Sequence, residues 1–456
     1  MSQQLQLLVG GADLTPYVEQ DAWSITQQWS RQGDTATFEL TDEHPVHGAL
    51  SFVPTPLTTV VLTDVGLGQT LFSGICEKPE VRFDGPTLAR WTLDCVDWTY
   101  LSDRPSNLVV GDYSGYTADA LAVLITTQAN CGINAATVAN GGYVWPAVQI
   151  PRIQFVYDTL TVAWTKLSKL ASLSTTWGWY VDENRNLHFY DLTQAPSAGV
   201  TLTDSIGAVN NTTIVPYDND SMTYEWDATS LRNVVTVRGA DYSSSQTDLW
   251  VGNGSQLSFP LTFVPDANNI ATATLTVGGV AATVSADTGS SASTDWIVQG
   301  NAANQWFLSA NQALTPPTAA PATSTVISLA YPYLQPVVAR TQDSTSIAAF
   351  ASLPNAGQFA YYIGDTSLPT LLSAVQRGQR EVATYSLPTE RANLTIPETF
   401  TGHVRAGQLV TFVNAMVPDS RNGYASGVSD QFLILQNRIT GAAGLYRTYG
   451  ITAVRV

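Results

Sequence analysis

The sequence is poor in charged residues, and most of those it has are acidic. Asp, Glu, Lys and Arg make up 12% of the 456 residues, about half of their share in an average soluble protein. The formal net charge is −17. A protein that holds nucleic acid by its phosphates needs a basic surface, so this balance argues against a nucleic-acid-binding protein. Aromatic residues make up 10% of the chain and need a core or an interface, which indicates a folded protein.

Long apolar runs and cysteines are also scarce. The longest compact apolar run is Leu121–Ile125, whereas a membrane-spanning helix needs ~20 residues, so we predict no membrane-spanning segment. The chain starts without a basic region or an Ala-x-Ala site, and we predict no signal peptide. Cys76, Cys95 and Cys131 are too few and too scattered for a disulfide framework. We therefore expect synthesis in the cytoplasm, with the thiols reduced.

Sequence motifs of common catalytic sites are missing. No P-loop motif occurs, and Gly111–Gly115 and Gly423–Gly427 carry their serine one position too late for the nucleophile elbow of a serine hydrolase. Carboxylate pairs of the kind that glycosidases use do occur, but 37 acidic residues produce such pairs by chance. These pairs are Glu77/Glu80, Asp94/Asp97, Asp182/Glu183 and Asp218/Asp220. We predict no catalytic residue, no cofactor and no bound metal, and so no enzyme.

The four histidines do not form a recognisable metal site. His44 and His47 have a metal-like spacing, but Pro45 between them favours an exposed turn, and no further ligand lies nearby in the sequence. His188 lies in a predicted strand, where a single histidine is usually structural. His403 follows a glycine, and we expect it to be solvated in a turn.

The charges are distributed unevenly along the chain. Residues 1–150 have a net charge of −11, and residues 151–240 of −3. Residues 241–370 hold only 8 charged residues, of which Arg340 is the single base, whereas residues 371–456 have a net charge of +3. The charge-poor stretch indicates an inserted module. The basic C-terminal segment is predicted to dock on an acidic neighbour.

The first hundred residues have the pattern of β-strands. Leu5–Val9 ends at a glycine pair, and Thr35–Leu40 alternates with a period of two, which puts alternate side chains on opposite faces. Leu71–Cys76 and Arg90–Trp98 are predicted to form a hairpin around the turn Asp84–Pro86. Together these features predict a β-barrel or β-sandwich of about 100 residues.

A helical pattern follows the first strands. Thr117 is a candidate N-cap for one amphipathic helix, and Asp158 for a second. Gly178 is suited to a left-handed cap at the end of the second helix. Trp179–Val181 and Leu187–Tyr190 then have the pattern of a short hairpin, which predicts a small α+β domain.

Strands return in the second half of the chain. Asn233–Gly239 and Val404–Val456 have strand patterns, and the charge-poor stretch between them contributes Leu257–Phe263 and Ala273–Val277. A further helix is predicted to start at Pro369, because proline suits the first helical position.

Aromatic side chains crowd the charge-poor stretch. They offer faces for stacking on sugar rings or on a partner protein, and core packing in a β-sandwich is the alternative. The candidate contact residues are Trp250, Phe259, Phe263, Trp296, Trp306 and Phe307.

The order of these parts resembles the tail hub proteins of bacteriophages, namely the baseplate hub of T-even phages and the tail-tip hub of siphophages. The resemblance covers most of the chain except residues 241–370. The strings that carry it are Asp13–Val18, Trp23–Ile25, Leu71–Gly74, Trp91–Trp98, Trp177–Asp182, Leu187–Phe189, Leu231–Gly239 and Arg405–Val410.

The resemblance implies a mainly β fold with a smaller α+β part. Residues 1–105 would form a first β-barrel hub domain, and residues 106–206 the small α+β domain. Residues 207–240 and 371–456 would form a second β-barrel hub domain, interrupted by a β-rich, charge-poor insert at 241–370.

The same resemblance implies a structural role in the virion, at the tail tip. Such hubs are homotrimers whose six barrels match a sixfold tail tube. The expected partners are the tail tube or distal tail protein, a spike or central fibre protein, and the tape-measure protein, with DNA as a passenger in the channel. The alternative is a polysaccharide-degrading or glycan-binding virion protein that uses a carboxylate pair or the aromatic residues of the insert.

Overall fold

The computed structural model describes most of the chain. The described residues are 5–29, 33–43, 53–104, 108–135, 152–171, 177–192, 195–205, 210–266, 268–286, 294–303, 305–397, 400–422, 425–442 and 446–456. His44 and His47 lie outside these residues, so their position in an exposed turn stays a prediction. Among the described residues, no helix is long and apolar enough to cross a membrane.

The fold is mainly β, as predicted. The strands are β1 Leu5–Val9, β2 Ala12–Asp13, β3 Val18–Gln28, β4 Thr35–Asp42, β5 Thr59–Asp64, β6 Gln69–Phe83, β7 Ala89–Asp97, β8 Val109–Tyr113, β9 Ile153–Asp158, β10 Trp177–Val181, β11 Leu187–Asp191, β12 Ser197–Thr203, β13 Ile214–Pro216, β14 Asp218–Asp227, β15 Val234–Val251, β16 Ser258–Pro260, β17 Thr274–Val277, β18 Val280–Ala282, β19 Val284–Ala286, β20 Trp296–Gly300, β21 Trp306–Ala310, β22 Val326–Gln342, β23 Ala360–Gly364, β24 Thr389–Ile396, β25 Leu409–Pro418, β26 Gly427–Ala442 and β27 Tyr446–Arg455. The α-helices are α1 Tyr100–Asp103, α2 Ala118–Ala129, α3 Leu160–Ala171, α4 Ser344–Ala349 and α5 Leu371–Tyr385.

The chain divides into two compact units. The first comprises Met1–Val234, Gln342–Ala360 and Gln379–Val456. The second comprises Val235–Thr341 and Tyr361–Gly378, and so contains most of the charge-poor stretch. The four domain boundaries drawn from the sequence stay predictions.

One sheet of 14 strands dominates the first unit. Seven of its strands, β1 to β7, come from the N-terminal part, and the other seven are β12, β13, β14, β24, β25, β26 and β27. The two groups join where β26 pairs antiparallel with β3, with Ile439 opposite Ile25. Both of these isoleucines are fully buried in one core that draws on both groups. Closure of each group into a barrel stays a prediction.

Strand alternation sets the inner face of the N-terminal group. In β4, Ala36, Phe38 and Leu40 are buried, and the residues between them are partly exposed. The predicted hairpin is formed by β6 and β7. β4 therefore follows the period of two that the sequence shows, whereas Leu71–Cys76 in β6 are buried on both faces of the sheet.

The α+β part of the first unit packs α2 and α3 around a core of their own. The Thr117 hydroxyl accepts a hydrogen bond from the Ala120 N–H at 3.4 Å, which confirms the predicted cap of α2. The cap predicted at Asp158 is wrong by one residue. Thr159 accepts from the Val162 and Ala163 N–H groups, while the Asp158 carboxylate pairs with a lysine of the helix.

Gly178 does not end α3, which stops at Ala171. It lies in β10, where a Cβ atom would approach the Trp29 indole to 2.3 Å. The glycine is required because the backbone of the β10–β11 hairpin packs against this tryptophan.

The second unit is built from two sheets around a separate core. Their strand orders are β18-β17-β22-β15-β23 and β16-β21-β20-β19. The helix predicted from Pro369 begins two residues later, at Leu371. Thr370 caps it, since its hydroxyl accepts a hydrogen bond from the Ser373 N–H at 3.1 Å.

Candidate functional site: buried arginine junctions and an aromatic groove

Arg405 connects three distant segments of the first unit. Its guanidinium pairs with Asp34, just before β4, at 2.9 Å and with Glu183, in the turn between β10 and β11. It also donates to the Val181 carbonyl at 3.1 Å and lies 4.7 Å from the centre of the Tyr180 ring. Both Arg405 and Asp34 are buried. The N-terminal strand group, the α+β part and the segment before β25 are therefore held by one cation.

A second buried carboxyl group, Asp97, borders this junction. It accepts hydrogen bonds from the N–H and the hydroxyl of Thr99, both at 3.0 Å. Burial, reinforced by the negative charge of Asp34, raises the pKa of Asp97 to about 8. Burial also raises the pKa of Asp34, against the attraction of Arg405. The surrounding side chains leave no volume for a water molecule, so the junction is a packed contact.

Arg447 forms a second junction between the two strand groups. It pairs with Asp64 at the end of β5, and both side chains are fully buried. Its guanidinium also donates to the Gly402 carbonyl at 3.1 Å. The neighbouring His403 was predicted to be solvated in a turn, but it is only partly exposed and its Nδ1 atom is buried. Burial, reinforced by the positive charge of Arg447, lowers the pKa of His403 to about 3.

Arg455 forms a third junction within the C-terminal strand group. Its guanidinium contacts Glu390 at 2.9 Å, Asp419 at 2.6 Å and Asp430 at 2.9 Å. The Tyr224 hydroxyl donates a further hydrogen bond to Glu390. The strands β14, β24, β26 and β27 thus meet around one buried charge.

The basic C-terminal segment does dock on an acidic neighbour. That neighbour is the N-terminal part of the same chain, through the pairs Arg405–Asp34 and Arg447–Asp64. The opposite net charges of the two segments predicted that they would associate. The individual ion pairs depend on which strands become neighbours, and the residue pattern alone does not predict the order of the strands.

The aromatic residues predicted to contact a partner separate into two sets. Phe259 and Trp296 are only 1% and 3% exposed and lie in the core of the second unit, where they cannot form a surface contact. Trp250 is half-buried and packs on Phe259, with 5.7 Å between ring centres. The alternative of core packing applies to these three residues.

The other three, Phe263, Trp306 and Phe307, line one groove in the second unit. Its volume is about 280 Å³, and no charged residue lines it. Phe263 is 43% exposed and stacks on Tyr333, with ring centres 4.4 Å apart and planes 12° from parallel. The groove is also lined by two polar residues that the sequence analysis did not single out, Thr262 and Gln305.

Comparisons with known proteins find no similar sequence family but do find similar folds. No protein-family model and no curated protein matches the chain. Solved structures do. The 43 kDa tail protein of prophage MuSo2 from Shewanella oneidensis is 13% identical, with a TM-score of 0.55 over 100% of this chain and 98% of that protein. A tail protein from Neisseria meningitidis MC58 is 10% identical, with a TM-score of 0.52 over 100% of this chain and 97% of that protein.

A third structure agrees with these two. The prophage tail protein gp18 from Listeria monocytogenes is 10% identical, with a TM-score of 0.50 over 99% of this chain and 94% of that protein. The chain has the fold of phage tail proteins. The resemblance stated from the sequence is therefore confirmed at the level of the fold. The match extends along the whole tail-protein fold, including the stretch 241–370 that the sequence strings leave out.

Within this tail-protein fold, the candidate carboxylate pairs have other contacts. Asp182 accepts hydrogen bonds from two N–H groups of its turn and lies 2.9 Å from the His188 ring nitrogen, while Glu183 pairs with Arg405. Asp97 is buried, whereas Asp94 is exposed on the same strand. Among the described residues, no three His, Cys, Asp or Glu side chains form a group that could hold a metal ion.

Proposed function

We propose that this protein is the structural hub of a phage tail tip, acting without catalysis. Three copies form a ring with pseudo-sixfold symmetry, because each copy contributes two strand groups. The observation that carries this proposal is the 14-stranded sheet, with seven strands from each group joined by the β3–β26 pair. The buried junctions of Arg405 and Arg447 keep the two groups in one orientation, as a ring of six equal positions requires.

The ring connects parts of different symmetry. Its sixfold face takes the tail tube or distal tail protein, and its threefold face takes a spike or central fibre. The tape-measure protein and then DNA pass through the channel. Three chains of −17 each give the trimer a net charge of −51, and an acidic lumen repels phosphate so that DNA slides through it. The chain is made in the host cytoplasm and works in the virion.

The test is the oligomeric state of the purified chain. Light scattering after size-exclusion chromatography is expected to give three times the chain mass of 48.9 kDa. Negative-stain images are expected to show a threefold ring with six inner densities. A mass of one chain across a wide range of concentrations, with images of an elongated monomer, would overturn the proposal.

The groove in the second unit favours a second function, the binding of a neutral glycan. Aromatic faces stack on sugar rings, and a groove without charged residues suits a ligand without charge. Phe263 provides the exposed face, and Gln305 an amide that can hydrogen-bond sugar hydroxyls. This function is compatible with the hub, since it uses the unit that contains most of the predicted insert.

The glycan proposal is tested by a matched pair of variants. Phe263→Ser removes the exposed ring, and Val280→Ser changes a residue of the same unit that is exposed but does not line the groove. Binding of host surface polysaccharide is expected to fall at least tenfold in Phe263→Ser and to stay unchanged in Val280→Ser. Equal binding by both variants would show that the groove is not a glycan site.

A further inference from the structure

Two of the three cysteines face each other across a pair of strands. Cys76 in β6 and Cys95 in β7 are direct partners in the antiparallel register. The Cys76 N–H donates to the Thr58 carbonyl at 2.8 Å, and the Cys76 carbonyl accepts from the Leu57 N–H at 2.7 Å. Both backbone groups of Cys76 therefore point away from β7. This makes Cys76 and Cys95 a non-hydrogen-bonded pair, the type with the shorter Cα separation of about 4.5 Å.

That separation is compatible with a disulfide bond. Disulfides join residues whose Cα atoms lie about 4.4 to 6.8 Å apart. The Cβ atoms of cross-strand partners are about 4.5 to 5.5 Å apart, so bond formation draws the strands slightly together. A bond formed under such strain is easily reduced. The third cysteine, Cys131, lies in the α+β part, away from this pair in the sequence.

The two thiols also differ in reactivity. A hydrogen bond from Cys95 lowers the pKa of Cys76, although burial and the charge of Asp94 oppose this shift. The interaction with Cys76 raises the pKa of Cys95, and burial raises it further. Cys76 is therefore the thiol of the pair that forms a thiolate first. Both side chains are buried, 0% and 2% exposed, so a peroxide reaches them through local opening of the hairpin.

We propose that Cys76 and Cys95 are a site of reversible oxidation, at which a peroxide converts the pair into a cross-strand disulfide. The Cys76 thiolate attacks one peroxide oxygen and becomes a sulfenic acid, releasing hydroxide. The Cys95 sulfur then attacks the Cys76 sulfur, the S–S bond forms and the S–O bond breaks, and water leaves. In total, two thiols and one hydrogen peroxide give one disulfide and two waters.

The cysteine pair lies where the buried part of the β6–β7 hairpin meets its exposed part. Cys76 is the last buried residue of β6, and residues 77 to 83 of that strand are mostly exposed. The disulfide would cross-link the base of this exposed hairpin. If the chain is a virion hub, as proposed above, the bond forms after the particle leaves the reducing cytoplasm and keeps the two strands paired under mechanical load.

The experiment uses the isolated full chain, so it does not depend on the proposed trimer or channel. In a Cys131→Ser variant the pair provides the only thiols. The folded protein is treated with hydrogen peroxide, quenched with catalase, unfolded in urea and alkylated with N-ethylmaleimide. Intact mass is expected to fall by two hydrogen atoms, with no maleimide added. Dithiothreitol is expected to restore two alkylatable thiols, and the oxidised chain should melt at a higher temperature than the reduced one.

A second variant keeps the result interpretable. Cys76→Ala in the same background leaves one thiol and is expected to form no intramolecular bond, with circular dichroism confirming that it folds. The proposal is overturned if both thiols of the pair still take up maleimide after peroxide treatment, since they would then be core residues only. It is equally overturned by a gain of oxygen atoms on either cysteine, or by a disulfide between two chains.

Discussion

Breaking the Arg447–Asp64 ion pair is expected to destabilise the fold more than breaking most of its other contacts. The variant Asp64→Asn keeps the size of the side chain and an oxygen that can accept from the Leu67 N–H, which now donates to Asp64 at 3.0 Å. It removes only the negative charge. Arg447 is then left as a fully buried cation whose remaining partners are neutral, namely the Gly402 carbonyl and the Tyr449 ring, whose centre is 5.6 Å away.

The expected loss of stability follows from the burial of both side chains, which are 0% exposed. Breaking a fully buried ion pair by removing one partner costs about 3 to 5 kcal/mol. The free energy of unfolding of Asp64→Asn, measured by urea denaturation with tryptophan fluorescence, is expected to fall by that amount. Comparisons are made at one protein concentration, since oligomerisation contributes to stability.

Two further variants complete this test. Replacing both partners, as in Asp64→Leu with Arg447→Met, is expected to recover most of the loss, because no unpaired charge is left in the core. Glu80→Gln breaks the Lys78–Glu80 pair, whose side chains are 65% and 62% exposed, and is expected to leave stability unchanged. Equal stability of Asp64→Asn and Glu80→Gln would show that the buried pair stabilises the fold no more than an exposed one.

Three other predictions concern titration and close packing. Between about pH 4 and pH 8 the folded chain keeps a proton on Asp97 that the unfolded chain has lost, so the free energy of unfolding falls as pH rises. Asp97→Asn should show a smaller fall in urea midpoint across this window, and an unchanged slope would refute the assignment. Between pH 6.5 and about 3 the unfolded chain binds a proton at His403 that the folded chain does not, so acid destabilises the protein. His403→Gln should lose less stability on acidification, and a wild-type response would contradict this. Gly74→Ala brings a Cβ atom to 2.1 Å from the Val96 carbonyl oxygen, and calorimetry should show a loss of about 1 to 3 kcal/mol. Gly450→Ala, whose nearest neighbours are 3.8 Å away, is the control that should melt like the wild type.

Local patterns were sufficient for many elements of the fold. Leu5–Val9 is a strand with the predicted bounds, and Thr117 caps α2 as predicted. Both features depend on neighbouring residues only, through a period of two and through one side-chain hydrogen bond. Asp158 and Thr159 are both good capping residues, and Lys166, which pairs with Asp158, leaves the cap to the threonine.

Features set by long-range packing could not be predicted in this way. Gly178 was predicted to end α3 because glycine suits a left-handed cap. Its position is instead set by packing against Trp29, which lies almost 150 residues earlier in the chain. The partners of Arg405 and Arg447 depend on the order of strands in the sheet. In the second unit, Phe259 was a candidate contact residue with core packing as the alternative, and it is buried between two exposed neighbours in β16.

The pairing of β3 with β26 also constrains how the chain can fold during synthesis. Asn437 donates a hydrogen bond to Gln27 at 3.0 Å, across a sequence separation of 410 residues. At about 5 to 20 residues per second, a ribosome needs about 20 to 80 s to span that distance. During this time the edge of β3 has no partner from its own chain, and an open strand edge is a template for wrong pairing. The N-terminal strands are therefore synthesised first, but their sheet is completed last. A nascent chain that stops before β26 exposes the edge of β3, to which a chaperone or another unfinished chain would bind.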